Sequence, residues 1–122
     1  MAIGNYIQSG DWKAEKHVPI ITLMGTPKAG EFFDVKLSIG DEIAHPNTFE
    51  HHIAWFKLFY LQEGSKFLVE LTSNDFMAHG ELDNFTNFAF TASIKLPKDG
   101  KLIAMSYCNI HGLWENELEV KF

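Results

Sequence analysis

The stretch Phe88-Ala89-Phe90-Thr91-Ala92-Ser93-Ile94-Lys95-Leu96-Pro97-Lys98-Asp99-Gly100-Lys101-Leu102-Ile103-Ala104-Met105-Ser106-Tyr107-Cys108 sets the architecture. Phe88, Phe90, Ala92, Ile94 and Leu96 alternate with Ala89, Thr91, Ser93 and Lys95, the period of a strand with one buried face. Pro97 to Gly100 reads as a hairpin turn, with Asp99-Gly100 suited to positive φ. Leu102 to Tyr107 is then the returning strand, running straight into the only cysteine of the chain.

The same punctuation recurs outward from there. Val18 to Leu23 is short, apolar and β-branched. Phe33, Val35, Leu37 and Ile39 alternate with Asp34, Lys36 and Ser38, and Gly40-Asp41 ends that run. His52 to Leu61 is mostly apolar and suits a central strand covered on both faces. Gln62 to Ser65 turns the chain into Phe67 to Leu71, and residues 72–87, polar and rich in Asn and Thr, read as the longest loop. Leu118, Val120 and Phe122 alternate at the end. No segment holds a 3.6-residue period beyond a turn or two. The expectation is an all-β fold, an immunoglobulin-like antiparallel β-sandwich of about seven strands, as a single domain over residues 1–122.

Composition narrows the function. At 122 residues and 46% hydrophobic, with eleven Phe and three Trp, the chain can build an aromatic-rich core. A net charge of −6 disfavours nucleic acid and anionic membranes as partners. No stretch has the ~18 consecutive apolar residues of a membrane span, and the first residues show no basic start followed by an apolar run. A cytoplasmic protein is expected. A lone cysteine forms no internal disulfide and excludes a four-cysteine metal site within one chain.

That cysteine has a histidine three residues later, in Ser106-Tyr107-Cys108-Asn109-Ile110-His111-Gly112-Leu113-Trp114-Glu115. Folded into a tight turn, Cys-x-x-His aims a thiolate and an imidazole at one metal ion. Four of the other five histidines lie in Glu15-Lys16-His17 and in His45-Pro46-Asn47-Thr48-Phe49-Glu50-His51-His52. Neighbours on a strand point to opposite faces, so His51 and His52 supply one ligand at most. Any one of these histidines taken alone is more often a core or surface residue, and a lone cysteine is more often a small buried hydrophobe. Three loops at one end of a sandwich, each bringing His or Cys, instead suggest one metal centre. Spacing by itself leaves both readings open.

Taken together, and in this order, the three motifs resemble the superoxide reductase family, also called neelaredoxin and the catalytic domain of desulfoferrodoxin. The resemblance runs from Ser9-Gly10-Asp11-Trp12 to the last strand, without the family's N-terminal four-cysteine domain, so the chain is similar to the single-iron class. The resemblance implies a mononuclear iron with His17, His45, His51 and His111 as equatorial imidazoles and Cys108 as axial thiolate. His52 and His79 match no ligand position. It implies an immunoglobulin-like sandwich and reduction of superoxide to hydrogen peroxide at an open coordination position. It also implies backbone N–H groups around Ile110 and His111 on the sulfur, a rubredoxin-like electron donor and a homo-oligomer, often a tetramer.

Two further residues acquire roles by the same resemblance. Lys16 places a positive charge beside the open position, steers superoxide to the site and orders the protonating water. Glu15 matches a glutamate that occupies the sixth position of the ferric ion, for which a hard oxygen ligand is suited. Trp12, Pro46, Asn47, Ile110 and Trp114 read as packing or loop-shaping residues. A cupredoxin-like electron carrier is the alternative, weakened by the lack of a Met after His111. A structural zinc site in a binding module is the third reading.

Overall fold

The structure, a computed structural model, describes residues 2–122. Seven strands run in the order β1 (Ile20–Leu23), β2 (Phe32–Ser38), β3 (Ile53–Gln62), β4 (Val69–Asp75), β5 (Ala89–Lys95), β6 (Gly100–Cys108) and β7 (Gly112–Val120). They form a three-stranded sheet, β1-β2-β5, and a four-stranded sheet, β4-β3-β6-β7. Every pairing between named strands is antiparallel. This is the immunoglobulin-like sandwich that strand spacing predicts.

Alternation on both sheets fills the interior. Val35 and Leu37 of β2 face Phe56 and Leu58 of β3 and Leu102 and Ala104 of β6 in one cluster, all six at 0% exposure. Burying an aliphatic or aromatic side chain of this size contributes about 1.5–3 kcal/mol relative to leaving it in water. Phe56, Phe76, Phe88 and Phe90 meet edge-on or tilted, which uses the abundance of phenylalanine.

The structure corrects five expectations. Pro97 to Gly100 is not a hairpin: β5 and β6 belong to different sheets, so this turn carries the chain across the sandwich. Gly100 does not take positive φ. Its glycine is needed because a Cβ would collide with the Leu61 carbonyl and the Tyr60 ring. Strand β1 begins at Ile20 rather than Val18, since Pro19 has no N–H to give a ladder. The supposed loop at 72–87 starts later, because β4 continues to Asp75. Its Thr, Ser and Asn stay polar because β4 is an edge strand. Finally, β3 is covered fully on one face only. Trp55, Lys57 and Phe59 are half-buried on the other, where Trp55 stacks on Tyr107 and Lys57 lies over the Trp55 ring.

The topology brings distant segments to one end. Ile53, the first residue of β3, pairs with Cys108, the last of β6. The 40–52 loop therefore meets the turn after Cys108. Gly40 enters that loop with φ +83, and a Cβ there would lie 2.9 Å from the His45 nitrogen, so only glycine fits. The N-terminal arm is held along β7. Gln8 donates its N–H to Leu113 O at 3.0 Å, its carbonyl accepts from Glu115 N–H at 2.8 Å, and the Ser9 hydroxyl donates to Glu115 O. The arm delivers Glu15, Lys16 and His17 to the same end. No helix among the described residues is long and apolar enough to cross a membrane.

Candidate metal centre

His17 from the arm, His45 and His51 from the loop before β3, and Cys108 from the end of β6 converge so that their four ligand atoms lie within 4.8 Å of one another. His17, His45 and Cys108 are buried and His51 is half-buried. Hydrogen bonding fixes which nitrogen each ring turns inward. His45 donates Nδ1–H to the Pro46 carbonyl at 2.7 Å, which leaves Nε2 with its lone pair, 3.6 Å from Cys108 Sγ. His17 donates Nδ1–H to Glu15 Oε1 at 2.6 Å, which leaves its Nε2 with a lone pair directed into the cluster, toward His111 Nδ1. These are the outer-sphere partners that ligating imidazoles characteristically have.

His111 stands beside the four. Its Nδ1 lies 3.1 Å from His17 Nε2 and 3.8 Å from Cys108 Sγ. Its backbone N–H donates to Cys108 Sγ at 3.4 Å. Only this one of the two expected backbone donors reaches the sulfur among the described residues. Glycine follows at position 112 with φ +82, which lets the turn reverse directly into β7. Two donors hold the His111 carbonyl, Trp114 Nε1 at 3.2 Å and Gln8 Nε2 at 3.1 Å. The Trp114 ring also stacks on His17, centroids 4.8 Å apart and 13° from parallel. Nothing in residue spacing marks Gln8 for this role.

The test of whether these residues suit a metal is His51 Nε2. It is a buried polar atom with no hydrogen-bond partner among the described residues. Such an orphan costs about 1–3 kcal/mol unless something fills it, and here it sits within a set of nitrogens and a sulfur. The electrostatics agree. Burial pushes the His45 pKa down to about 4, helped by the charges of His17, His51 and Lys16. Burial likewise lowers His51, with His111, His17 and Lys16 adding to it. Both rings are thus neutral near pH 7, the form that ligates metal.

Glu15 and Lys16 flank the cluster. For Glu15, burial acts to raise the pKa and is outweighed by the side-chain and backbone hydrogen bonds from His17, so the carboxyl lies below its ordinary value. Lys16 is half-buried and forms no salt bridge among the described residues. His52, in the loop just before β3, stacks on His79 at 3.6 Å and 7° instead of joining the four. Each of these two rings is held by an outer contact, His52 Nδ1 to Thr48 O and His79 Nδ1 to Asn47 Oδ1. Asn47 therefore shapes the loop from the side opposite the cluster.

A sandwich that gathers imidazoles and a cysteine sulfur at one loop end belongs to the class of proteins whose histidine–cysteine cluster could hold a metal ion. The sequence profile of the desulfoferrodoxin family matches residues 9–117, and the chain belongs to that family. It is 48% identical to the superoxide reductase of Pyrococcus furiosus over 98% of this chain and 99% of that one. It is 45% identical to the neelaredoxin of Megalodesulfovibrio gigas over 98% of each. Among solved structures, the neelaredoxin-type superoxide reductase of Archaeoglobus fulgidus in its reduced form superposes with a TM-score of 0.89. That match is 44% identical and covers 96% of this chain and 99% of the other.

Proposed function

We propose that this protein is a superoxide reductase, an oxidoreductase that converts superoxide, one electron and two protons into hydrogen peroxide without forming O2. The carrying observation is the unpartnered, buried Nε2 of His51, set among the ligand atoms of His17, His45 and Cys108. The relatives named above support the activity. The cofactor is a single non-haem iron held by His17, His45, His51 and His111 through nitrogen and by Cys108 through sulfur. A mixed imidazole–thiolate set suits a redox-active first-row metal, and when bound the iron supplies the electron to superoxide.

The remaining work falls to the chain. The Cys108 thiolate is the one anionic donor, and the His111 N–H at 3.4 Å tempers its basicity. Glu15 holds the Nδ1 proton of His17 and thereby keeps that ring's Nε2 directed inward. Lys16 lends positive charge to one side of the site on a chain of net −6, drawing an anionic substrate toward it. By family resemblance, the chain works as one cytoplasmic domain within a homo-oligomer, a tetramer in many members, and receives electrons from a rubredoxin-like protein.

Iron analysis and a visible spectrum of the oxidised protein test the reading. One iron per chain, a thiolate-to-ferric absorption band and loss of that band with turnover in Cys108→Ser are expected. A colourless zinc protein, a cupric-thiolate spectrum, or a Cys108→Ser variant with unchanged colour and activity would overturn it.

A further inference from the structure

We infer that Asn109 is a positioning residue that locks His51 to the Cys108 turn and thereby sets the geometry of the metal site. The inference rests on the metal centre proposed above. Asn109 follows Cys108 directly and is exposed, so its side chain contributes nothing to the core. It nevertheless makes three contacts to one short segment. Its backbone N–H donates to His52 O at 3.2 Å. Its Oδ1 accepts from His52 N–H at 2.9 Å, and its Nδ2 donates to Glu50 O at 3.0 Å.

The two side-chain contacts bracket His51. The Glu50 carbonyl belongs to the peptide unit that precedes the His51 Cα, and the His52 N–H to the unit that follows it. One carboxamide thus holds both peptide planes whose rotation defines φ and ψ of His51. The planar carboxamide of Asn or Gln offers a donor and an acceptor side by side, and Asn is short enough to do so from within a tight turn. His51 is the ligand candidate most in need of such fixing. His17 and His45 are each oriented through an Nδ1 hydrogen bond, whereas the His51 ring only packs against His45 and His111, with centroids 4.7 and 5.0 Å away, and its Nε2 has no hydrogen-bond partner among the described residues. No hydrogen bond to the ring among the described residues sets its direction, so its placement depends on that packing and on its backbone, which Thr48 and Asn109 both hold. Since Asn109 is adjacent to Cys108, the clamp ties the sulfur and the His51 nitrogen into one unit.

Equilibrium binding of Fe2+ against a competing chelator, with the visible spectrum of the oxidised form, tests this. Asn109→Ala is expected to bind about 10–100-fold more weakly, the range typical of lost outer-sphere partners, and to shift the thiolate-to-ferric band. Asn109→Asp keeps the acceptor for His52 N–H but loses the donor to Glu50 O, and should fall between Asn109→Ala and the parent. Asn84→Ala removes comparable loop contacts, to Glu81 O and Leu82 O, that touch none of the candidate ligands, and should leave affinity and spectrum at the parental values. Parental affinity and spectrum in Asn109→Asp, or equal losses in Asn109→Ala and Asn84→Ala, would overturn the inference, and the Asp variant decides alone if the Ala variant does not fold. A parent that binds no iron sinks the metal reading itself, a separate outcome.

Discussion

The Glu15 carboxylate lies 2.6 Å from Nδ1 of His17, while Nε2 of the same ring lies 3.1 Å from Nδ1 of His111. One imidazole therefore connects a charged anchor on the arm to the turn that follows Cys108. Because the Glu15 Oε1 atom also accepts the His17 backbone N–H at 3.1 Å, the carboxylate cannot bind a metal ion with that oxygen and hold this ring at once. Glu15→Gln should retain the fold and the metal while weakening metal affinity about 10-fold, at the low end for outer-sphere carboxylates. Chelator competition measures it, and an affinity equal to the parent's would remove Glu15 from this role.

Lys16 should act through charge alone. Lys16→Ala is expected to slow the second-order reaction with superoxide several-fold at low salt, an order-of-magnitude figure for a single steering charge. The ionic-strength dependence should flatten, because the screened charge is the one removed. Pulse-generated superoxide at varied salt gives both quantities, and a variant as fast and as salt-sensitive as the parent would contradict the assignment.

Acid should destabilise the metal-free protein. His45 has a folded-state pKa of about 4 against an ordinary 6.5, so below pH 6.5 the unfolded chain binds a proton that the folded chain refuses. Its neutral state supports the fold above pH 6.5, and that support is lost as pH falls toward 4. Linkage puts the loss on the order of 3 kcal/mol if His45 acts alone. His51 and His79, both lowered by burial, act in the same direction. Urea unfolding of apoprotein between pH 7 and 4 checks this, and a His45→Asn variant should show a flatter profile over that interval.

Trp114 has two separable functions. Trp114→Phe keeps a ring to stack on His17 but removes the Nε1 donor to His111 O. Gln8 remains on that carbonyl, so the variant should lose only about 0.5–1.5 kcal/mol of stability and retain its metal. Trp114→Ala also loses the stack and should be destabilised further, by roughly 3 kcal/mol or more. Denaturant titration of the two variants side by side distinguishes the contributions.

Much of this was legible from residue order. Alternation located β2 and β5, and the Cys-x-x-His turn after β6 followed from the cysteine and its spacing. Strand parity predicted that only one of His51 and His52 enters the site, but not which one, and both residues lie in the loop before β3 rather than on a strand. That choice depends on where β3 begins, and Ile53 is the first paired residue. The turn at Pro97 to Gly100 was misread because a hairpin and a passage between two sheets use the same turn residues. The edge strand β4 was hidden because an edge tolerates polar residues on both faces. Asn109 and Gln8 were invisible for a different reason. Their contacts join positions 57 to 103 residues apart, and no local pattern encodes a partner at that distance.

Cys108 is fully buried, at 0% exposure, while His111 three residues on is exposed. A thiolate is the side chain that oxidants attack first, by a ladder whose upper rungs are irreversible. An enzyme that makes peroxide beside its own sulfur therefore faces self-inflicted damage at each turnover. Here the sulfur lies on the interior side of the imidazoles, and any oxidant arriving from solvent meets those rings first. The depth of this one atom thus keeps oxidants in bulk solvent off the sulfur.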